Sequence, residues 1–170
     1  PIGSSNGLKG LSIYGNYAFV AASEDGLLAV DISNPEDIAI AAVLPANDSA
    51  YDVATQGGYA FVADNTAGLS IFDIDPILDF ANVKNVPLTG DAWSVDVVGD
   101  YAYVASYLQG LYIIDINPVA SASVVKLVPM SIAGDVDVSN GYAYVTGGNV
   151  SIIDVVPPES ASIVGGVTYG

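Results

Sequence analysis

Gly15-Asn16-Tyr17-Ala18-Phe19-Val20-Ala21 decides the fold because it returns three times. It comes back as Gly57-Gly58-Tyr59-Ala60-Phe61-Val62-Ala63, as Gly99-Asp100-Tyr101-Ala102-Tyr103-Val104-Ala105 and as Asn140-Gly141-Tyr142-Ala143-Tyr144-Val145-Thr146. Each copy opens on a dipeptide that tolerates the positive φ angles of a tight hairpin turn and runs into an apolar strand. Its tyrosines stand at positions 17, 59, 101 and 142, about one every 42 residues. A second motif follows each copy: Gly26-Leu27-Leu28-Ala29-Val30-Asp31-Ile32, then 68–74, then 110–116, then the degenerate 149–155. The last interval is shorter because the connection after Thr146 shrinks to Gly147-Gly148.

The second unit shows how one repeat reads as structure. Tyr51–Thr55 alternates into the Gln56-Gly57-Gly58 turn, and Tyr59–Asp64 follows. After a loop ending at Gly68, Leu69–Ile74 leads to a proline-marked bend and then Asn82–Leu88. That is a four-stranded antiparallel meander. The middle two strands are apolar or small at nearly every position, so both of their faces are expected to be covered by neighbouring sheets. A four-stranded unit returning every 40–45 residues or so is the pattern of a β-propeller blade. We therefore expect an all-β single domain over 1–170 with blades near 8–49, 50–91, 92–132 and 133–170.

These residues resemble the LVIVD repeat, a Gly-[Asn/Asp]-Tyr-Ala-Tyr-Val strand followed by a Gly-Leu-x-Ile-x-Asp-x-Ser-x-Pro strand. The resemblance rests on 15–20 with Gly26-Leu27 and Asp31-Ile32-Ser33-Asn34-Pro35, and on 99–104 with Gly110-Leu111 and Asp115-Ile116-Asn117-Pro118. It covers all four units, although the fourth lacks the Gly-Leu pair and the Asx before Pro157. The resemblance implies a β-propeller of surface or secreted bacterial and archaeal proteins, with no catalytic motif to carry over.

Composition narrows the chemistry. Of 170 residues 52% are hydrophobic and 13% charged, and 19 acids against 3 lysines give a net charge of −16. Without histidine or cysteine the usual ligands of zinc, copper and iron–sulfur centres are missing, as are Ser-His-Asp and Cys-His nucleophiles. With no arginine, and with lysine only at 9, 84 and 126, nothing neutralises a run of phosphates, so nucleic acid and anionic membranes are expected to be poor partners. The longest apolar run, Ile38–Leu44, is strand-length and not a membrane span. The acidic surface suits an extracellular or cell-surface setting. Any leader is expected to have been processed away or to lie outside this stretch.

Four sets of residues draw attention. Asp31, Asp73, Asp115 and Asp154 end the third strand of each unit, where their carboxylates are expected to bind turn amides. Along the innermost strands Gly10, Asp52, Ser94 and Asp135 align, as do Ser12, Ala54, Asp96 and Asp137. One of these registers is expected to line the propeller axis, where Asp52, Asp96, Asp135 and Asp137 form a possible cation site for calcium, a taker of oxygen ligands. The same carboxylates could instead serve as acid and base in a carbohydrate-active enzyme, but no histidine or arginine is present to position a substrate. The fourth set lies on the loop face: Tyr51, Trp93 and Tyr107 with Asp48, Asp91 and the Glu24-Asp25 pair, where aromatics amid polar groups fit a protein or carbohydrate partner. The alternative is that Tyr51 and Trp93, equivalent by repeat, simply cover the core between blades.

Both ends of the chain fall at the same repeat phase, so no strand is expected to be left over to complete a blade from the opposite terminus. Either four blades close into a ring or they are part of a larger one, and in the second case the end blades would expose apolar faces suited to self-association. The expected function is a non-catalytic interaction or scaffold module. A structural subunit assembling through its end blades is the first alternative and the carbohydrate-active enzyme the second.

Overall fold

Two-residue turns at 15–16, 57–58, 99–100 and 140–141 place the flanking tyrosines opposite Tyr14, Gln56, Val98 and Ser139, which fixes the register of every inner hairpin. The computed structural model describes residues 7–76 and 79–168. Pro1–Asn6, the start of the stretch expected to lead into the first strand, lies outside these residues, as do 77–78 in the proline-marked bend and 169–170.

Each repeat forms one four-stranded antiparallel sheet with its strands in chain order. Blade 1 holds β1 (Leu11–Tyr14), β2 (Tyr17–Ala21), β3 (Leu27–Asp31) and β4 (Ala39–Leu44). Blade 2 holds β5 (Asp52–Gln56), β6 (Tyr59–Ala63), β7 (Leu69–Asp73) and β8 (Ala81–Val86). Blade 3 holds β9 (Asp91–Val98), β10 (Tyr101–Tyr107), β11 (Gly110–Asp115) and β12 (Ser123–Pro129). Blade 4 holds β13 (Asp135–Ser139), β14 (Tyr142–Thr146), β15 (Asn149–Asp154) and β16 (Ser162–Thr168). Among the described residues no blade borrows a strand from another, and no helix is long and apolar enough to cross a membrane.

The four repeated aspartates close the bend from third to fourth strand in the same way. Asp31, Asp73, Asp115 and Asp154 each accept the backbone N–H two residues on, at 2.8, 3.0, 2.9 and 3.1 Å. These are Asx turns, the structural role expected of them. The repeated glycine of the Gly-Leu pair is required by a close approach: at Gly68, φ is +89° and a Cβ would strike the Val86 carbonyl oxygen.

The core lies between sheets. Phe19 and Leu27 of blade 1 pack on Val53, Val62 and Phe72 of blade 2. Phe61, Leu69 and Ile71 of blade 2 pack on Val95, Val104 and Ile114 of blade 3. Tyr103, Leu111 and Ile113 of blade 3 pack on Val136, Val145 and Ile153 of blade 4. One face of each sheet in blades 2 and 3 thus meets the preceding blade and the other meets the following one.

The inner strands neighbour one another as β1 on β5, β5 on β9 and β9 on β13, while β1 and β13 do not pack together in this way. Among the described residues the blades form an arc in which each end blade has one open face. That corrects the expectation that both faces of all middle strands are covered. Tyr144 of blade 4 is 38% exposed, whereas its counterparts Phe19, Phe61 and Tyr103 are 0%, 1% and 4% exposed.

Candidate functional site

The loops from second to third strand and from fourth strand to the next blade emerge on one face and bond to each other. Ser23 bridges to Ala50 and Asn65 to Ala92. In this way the loop between blades 1 and 2 delivers Tyr51, and the loop between blades 2 and 3 delivers Trp93.

Tyr51, Trp93 and Tyr107 come together. Trp93 stacks on Tyr107 with ring centroids 4.2 Å apart and planes within 7°, and Tyr51 lies parallel to Trp93 at 6.2 Å with planes within 3°. Lys9 extends the row, its Nζ 5.4 Å from the Tyr51 ring centroid. Lys9, Tyr51 and Trp93 are equivalent positions at the entrance of successive inner strands, and the fourth copy has Gly134 there. Tyr107 is not a loop residue, as its neighbours in the sequence suggest. It ends β10 opposite Asp91, because a register shift at Ala105/Ser106 lets that strand run two residues further. All three rings are half-buried, so they seal the blade junctions and also present edges to solvent.

The acidic residues around the row differ in role. Asp48 is exposed but engaged, its Oδ2 accepting Asn65 Nδ2 at 3.0 Å, the Thr66 amide at 3.1 Å and the Thr66 hydroxyl. The Thr66 hydroxyl foremost, with its amide and Asn65, holds the Asp48 carboxyl below its ordinary range against the opposing effect of burial. Asp91 pairs with Tyr107 at the start of β9. A depression of about 360 Å³ lies beside the row, lined by Lys9, Glu24, Asp48, Tyr51 and Asn65 among others.

Two features of this face were not read from the sequence. Asp64 is fully buried, accepting the amides of Asn47 at 2.8 Å and Asp48 at 3.0 Å and the Ser70 hydroxyl at 2.8 Å. Ser70 in turn accepts Asn47 Nδ2 at 2.7 Å. The available signal was an aspartate at a position that is Ala22 or Ser106 in other repeats. Leu108 is the second feature. It is 59% exposed at φ +62°, a left-handed conformation unfavourable for leucine, on the rim of a depression of about 670 Å³ between blades 3 and 4.

The axial carboxylates do something other than line a channel. Asp52 accepts its own Val53 amide on Oδ1 at 2.9 Å and, on Oδ2, the Val95 amide of blade 3 at 3.0 Å. Asp96 repeats this one blade on, with its own Val97 amide on Oδ1 and the Val138 amide of blade 4 on Oδ2, both at 2.7 Å. Ser94 Oγ lies 2.9 Å from Asp52 Oδ2 and 2.7 Å from Asp135 Oδ1, so two carboxylates share the one proton it has to give. Burial first of all, with a contribution from the Asp135 charge, raises the Asp52 carboxyl above its ordinary value, although the Val95 amide and Ser94 oppose the shift. Asp135 also accepts its own Val136 amide at 3.0 Å, whereas Asp137 is exposed. Asp52 and Asp96 therefore tie inner strand to following inner strand, and Ser94 links the carboxylates of blades 2 and 4. Among the described residues no three carboxylates cluster so as to hold a metal ion.

Comparison with known proteins fits this architecture. The profile of the LVIVD repeat matches residues 8–41, 48–76, 89–125 and 131–168. No curated protein is similar enough in sequence to count as a relative. Among solved structures the computationally designed Ika8 protein superposes with a TM-score of 0.73 at 7% identity, over 96% of this chain and 49% of that one. The β-propeller domain of Myceliophteria thermophila Cps50 (Swd1) gives 0.74 at 12% identity, over 96% and 59%. The designed Ika4 protein gives 0.69 at 9%, over 89% and 92%. The chain spans about half the length of Ika8.

Proposed function

As a member of the LVIVD repeat family the chain is a β-propeller repeat module, and we propose that it serves as a non-catalytic interaction module of a secreted or cell-surface protein, docking a protein partner on its loop face. The observation that carries this reading is the Tyr51–Trp93–Tyr107 row. Three large rings already held parallel lose little side-chain entropy when a partner covers them, which makes them efficient anchors. One face of Trp93 is taken by Tyr107, so the row offers ring edges more than open faces. Edges suit the side chains of a protein surface better than the flat face of a sugar ring. Glu24 and Asp48 line the depression beside the row, Asp91 pairs with Tyr107 and the net charge is −16, so the partner surface is basic and its association is steered by charge.

The binding reading is supported against the enzyme reading by the occupation of the axial carboxylates. Asp52 and Asp96 each spend both oxygens on backbone amides and have none turned to a substrate. The test is an array of purified extracellular proteins and glycans probed with the wild type, Trp93→Ala and a distant control, Lys84→Ala. A salt-sensitive basic protein hit that Trp93→Ala abolishes and Lys84→Ala keeps is the expected result. Hits on glycans that survive Trp93→Ala, or glycosidic turnover lost in Asp52→Asn, would sink the proposal.

A further inference from the structure

The junctions between successive blades are built on the loop face from the same three repeat positions. Between blades 1 and 2 these are Asn47, Asp64 and Ser70, knotted together by hydrogen bonds. Between blades 2 and 3 they are Thr89, Ser106 and Tyr112. The Ser106 hydroxyl donates to the Thr89 carbonyl at 2.9 Å, and the Tyr112 ring is buried with its hydroxyl 3.4 Å from the same oxygen. One junction is thus plugged by a polar knot and the next by a ring.

Between blades 3 and 4 the same positions hold Met130, Gly147 and Ser151, and the plug is missing. Gly147 has no side chain to offer, and a Cβ there would strike the Ile132 carbonyl oxygen. Ser151 is far too short to replace the ring of Tyr112. The depression of about 670 Å³ between these blades is the space left over. Its volume falls within the roughly 300–1,000 Å³ of ligand pockets.

The lining says what fits. Among the described residues no ionisable side chain and no aromatic ring lines this space, although the chain carries 19 acids and 15 aromatics. A charged group would lose its water there without gaining a counter-charge, and a sugar ring would find nothing to stack on. Gln109 and Asn149 bring primary amides, each both donor and acceptor as a peptide unit is, and Ser131 and Ser151 bring hydroxyls. Beside them stand aliphatic side chains at positions that are polar elsewhere: Leu108 where blade 2 has Thr66, and Ile132 where the other junctions have Ser49 and Asp91. Met130 adds an adaptable thioether. Leu108 is held exposed in a left-handed conformation on the rim, the kind of local strain that collects at binding sites.

We infer that the junction of blades 3 and 4 is a second binding site, which takes an uncharged peptide segment with aliphatic side chains. The amides of Gln109 and Asn149 pair with its main chain, and Leu108, Met130 and Ile132 receive its side chains. This site differs in chemistry from the aromatic row, whose proposed partner is basic, and it does not need Trp93.

The test pans a display library of random peptides on the wild-type chain and measures the enriched peptides on four variants. Ser151→Tyr supplies the ring that the preceding junction uses as its plug and should abolish binding. Ile132→Ser restores the residue of the first junction and should weaken it. Gln109→Ala should weaken it about fivefold, the worth of one hydrogen bond. Trp93→Ala should leave it unchanged. Circular dichroism and thermal melts establish that each variant is folded, and if Ser151→Tyr is not, Ile132→Ser and Gln109→Ala decide the matter. Enriched peptides with an uncharged aliphatic consensus and this pattern of losses are the expected result. Absence of any enriched peptide overturns the inference, as does equal binding by the folded pocket variants. A basic consensus lost in Trp93→Ala overturns it too, because it reports the aromatic row. So does an array on which neutral glycans, and no peptides, bind in a manner that Ser151→Tyr removes.

Discussion

Replacing Asp64 by alanine removes a carboxylate that has no exposed surface and receives three hydrogen bonds. The Ser70 hydroxyl can turn its proton to Asn85 Oδ1, already 3.3 Å away, so little is lost there. The amides of Asn47 and Asp48 have no such alternative. Each stranded amide costs about 1–3 kcal/mol, and water reaching this partly exposed loop returns some of that, so the net loss is about 2–4 kcal/mol. At roughly 2–4 °C per kcal/mol for a chain of this length, the Tm falls by about 5–15 °C. Asp64→Asn does nearly as badly, because one of its two terminal atoms becomes a donor facing an amide donor. The loop that Asp64 anchors leads straight into Tyr51, so Trp93 emission and near-ultraviolet dichroism change at temperatures where the sheets are intact. Differential scanning calorimetry and fluorescence of wild type, Asp64→Ala and Ser70→Ala measure both effects. An Asp64→Ala protein with wild-type Tm and unaltered Trp93 emission would refute this account of the loop face.

Leu108→Gly relieves the left-handed strain at an exposed site and should raise stability by about 1 kcal/mol, read as a higher denaturation midpoint. If Leu108 also contacts the loop-face partner, the same variant binds more weakly. Gly68→Ala forces a Cβ onto the Val86 carbonyl at φ +89° and should cost about 3 kcal/mol in urea unfolding, combining steric and conformational terms. Carbon NMR titration should place the Asp48 carboxyl below 3.8 and the Asp52 carboxyl above it. The signs for stability are opposite. The contribution of Asp48 is present above 3.8 and fades as pH falls through its lowered value, so Asp48→Asn differs from wild type at neutral pH and converges with it in acid. Asp48 is exposed, which keeps that difference small. Asp52 carries a penalty that grows as pH rises from 3.8 through its raised value, so wild type gains on Asp52→Asn as the solution is acidified.

The hairpins and Asx turns were legible because each rests on local chemistry repeated four times. A turn dipeptide, an aspartate two residues before an amide and a glycine under a carbonyl all act within or beside one strand pair. What escaped the sequence depends on contacts between units. Nothing local distinguishes Asp52 and Asp96 facing an axial channel from the same residues reaching the amide of the next inner strand. The place of Tyr107 turned on a register shift at Ala105/Ser106, which a strand pattern with a period of two does not announce. Alternation within blades 1 and 4 is the same as within blades 2 and 3, so the sequence of an end blade does not advertise that one face lacks a neighbour. For the loop face, the sequence brought Tyr51, Trp93 and Tyr107 to one surface by repeat phase alone. Their parallel stacking and the Asp64 knot behind them required the third dimension.

The inner-strand ties have a meaning for how such chains change over time. Asp52 and Asp96 recognise the backbone N–H of the following blade, a group that nearly every residue carries whatever its side chain. A tie of that kind makes few demands on the identity of its neighbour. A duplicated or exchanged repeat would meet a ready-made joint on either side, needing only small or β-branched residues to fill the space between sheets. The length of the array can therefore vary through recombination without the joints being reinvented, while each loop face diverges on its own. The grammar of assembly is written in the main chain, and the side chains at the rim are left free to acquire new vocabulary.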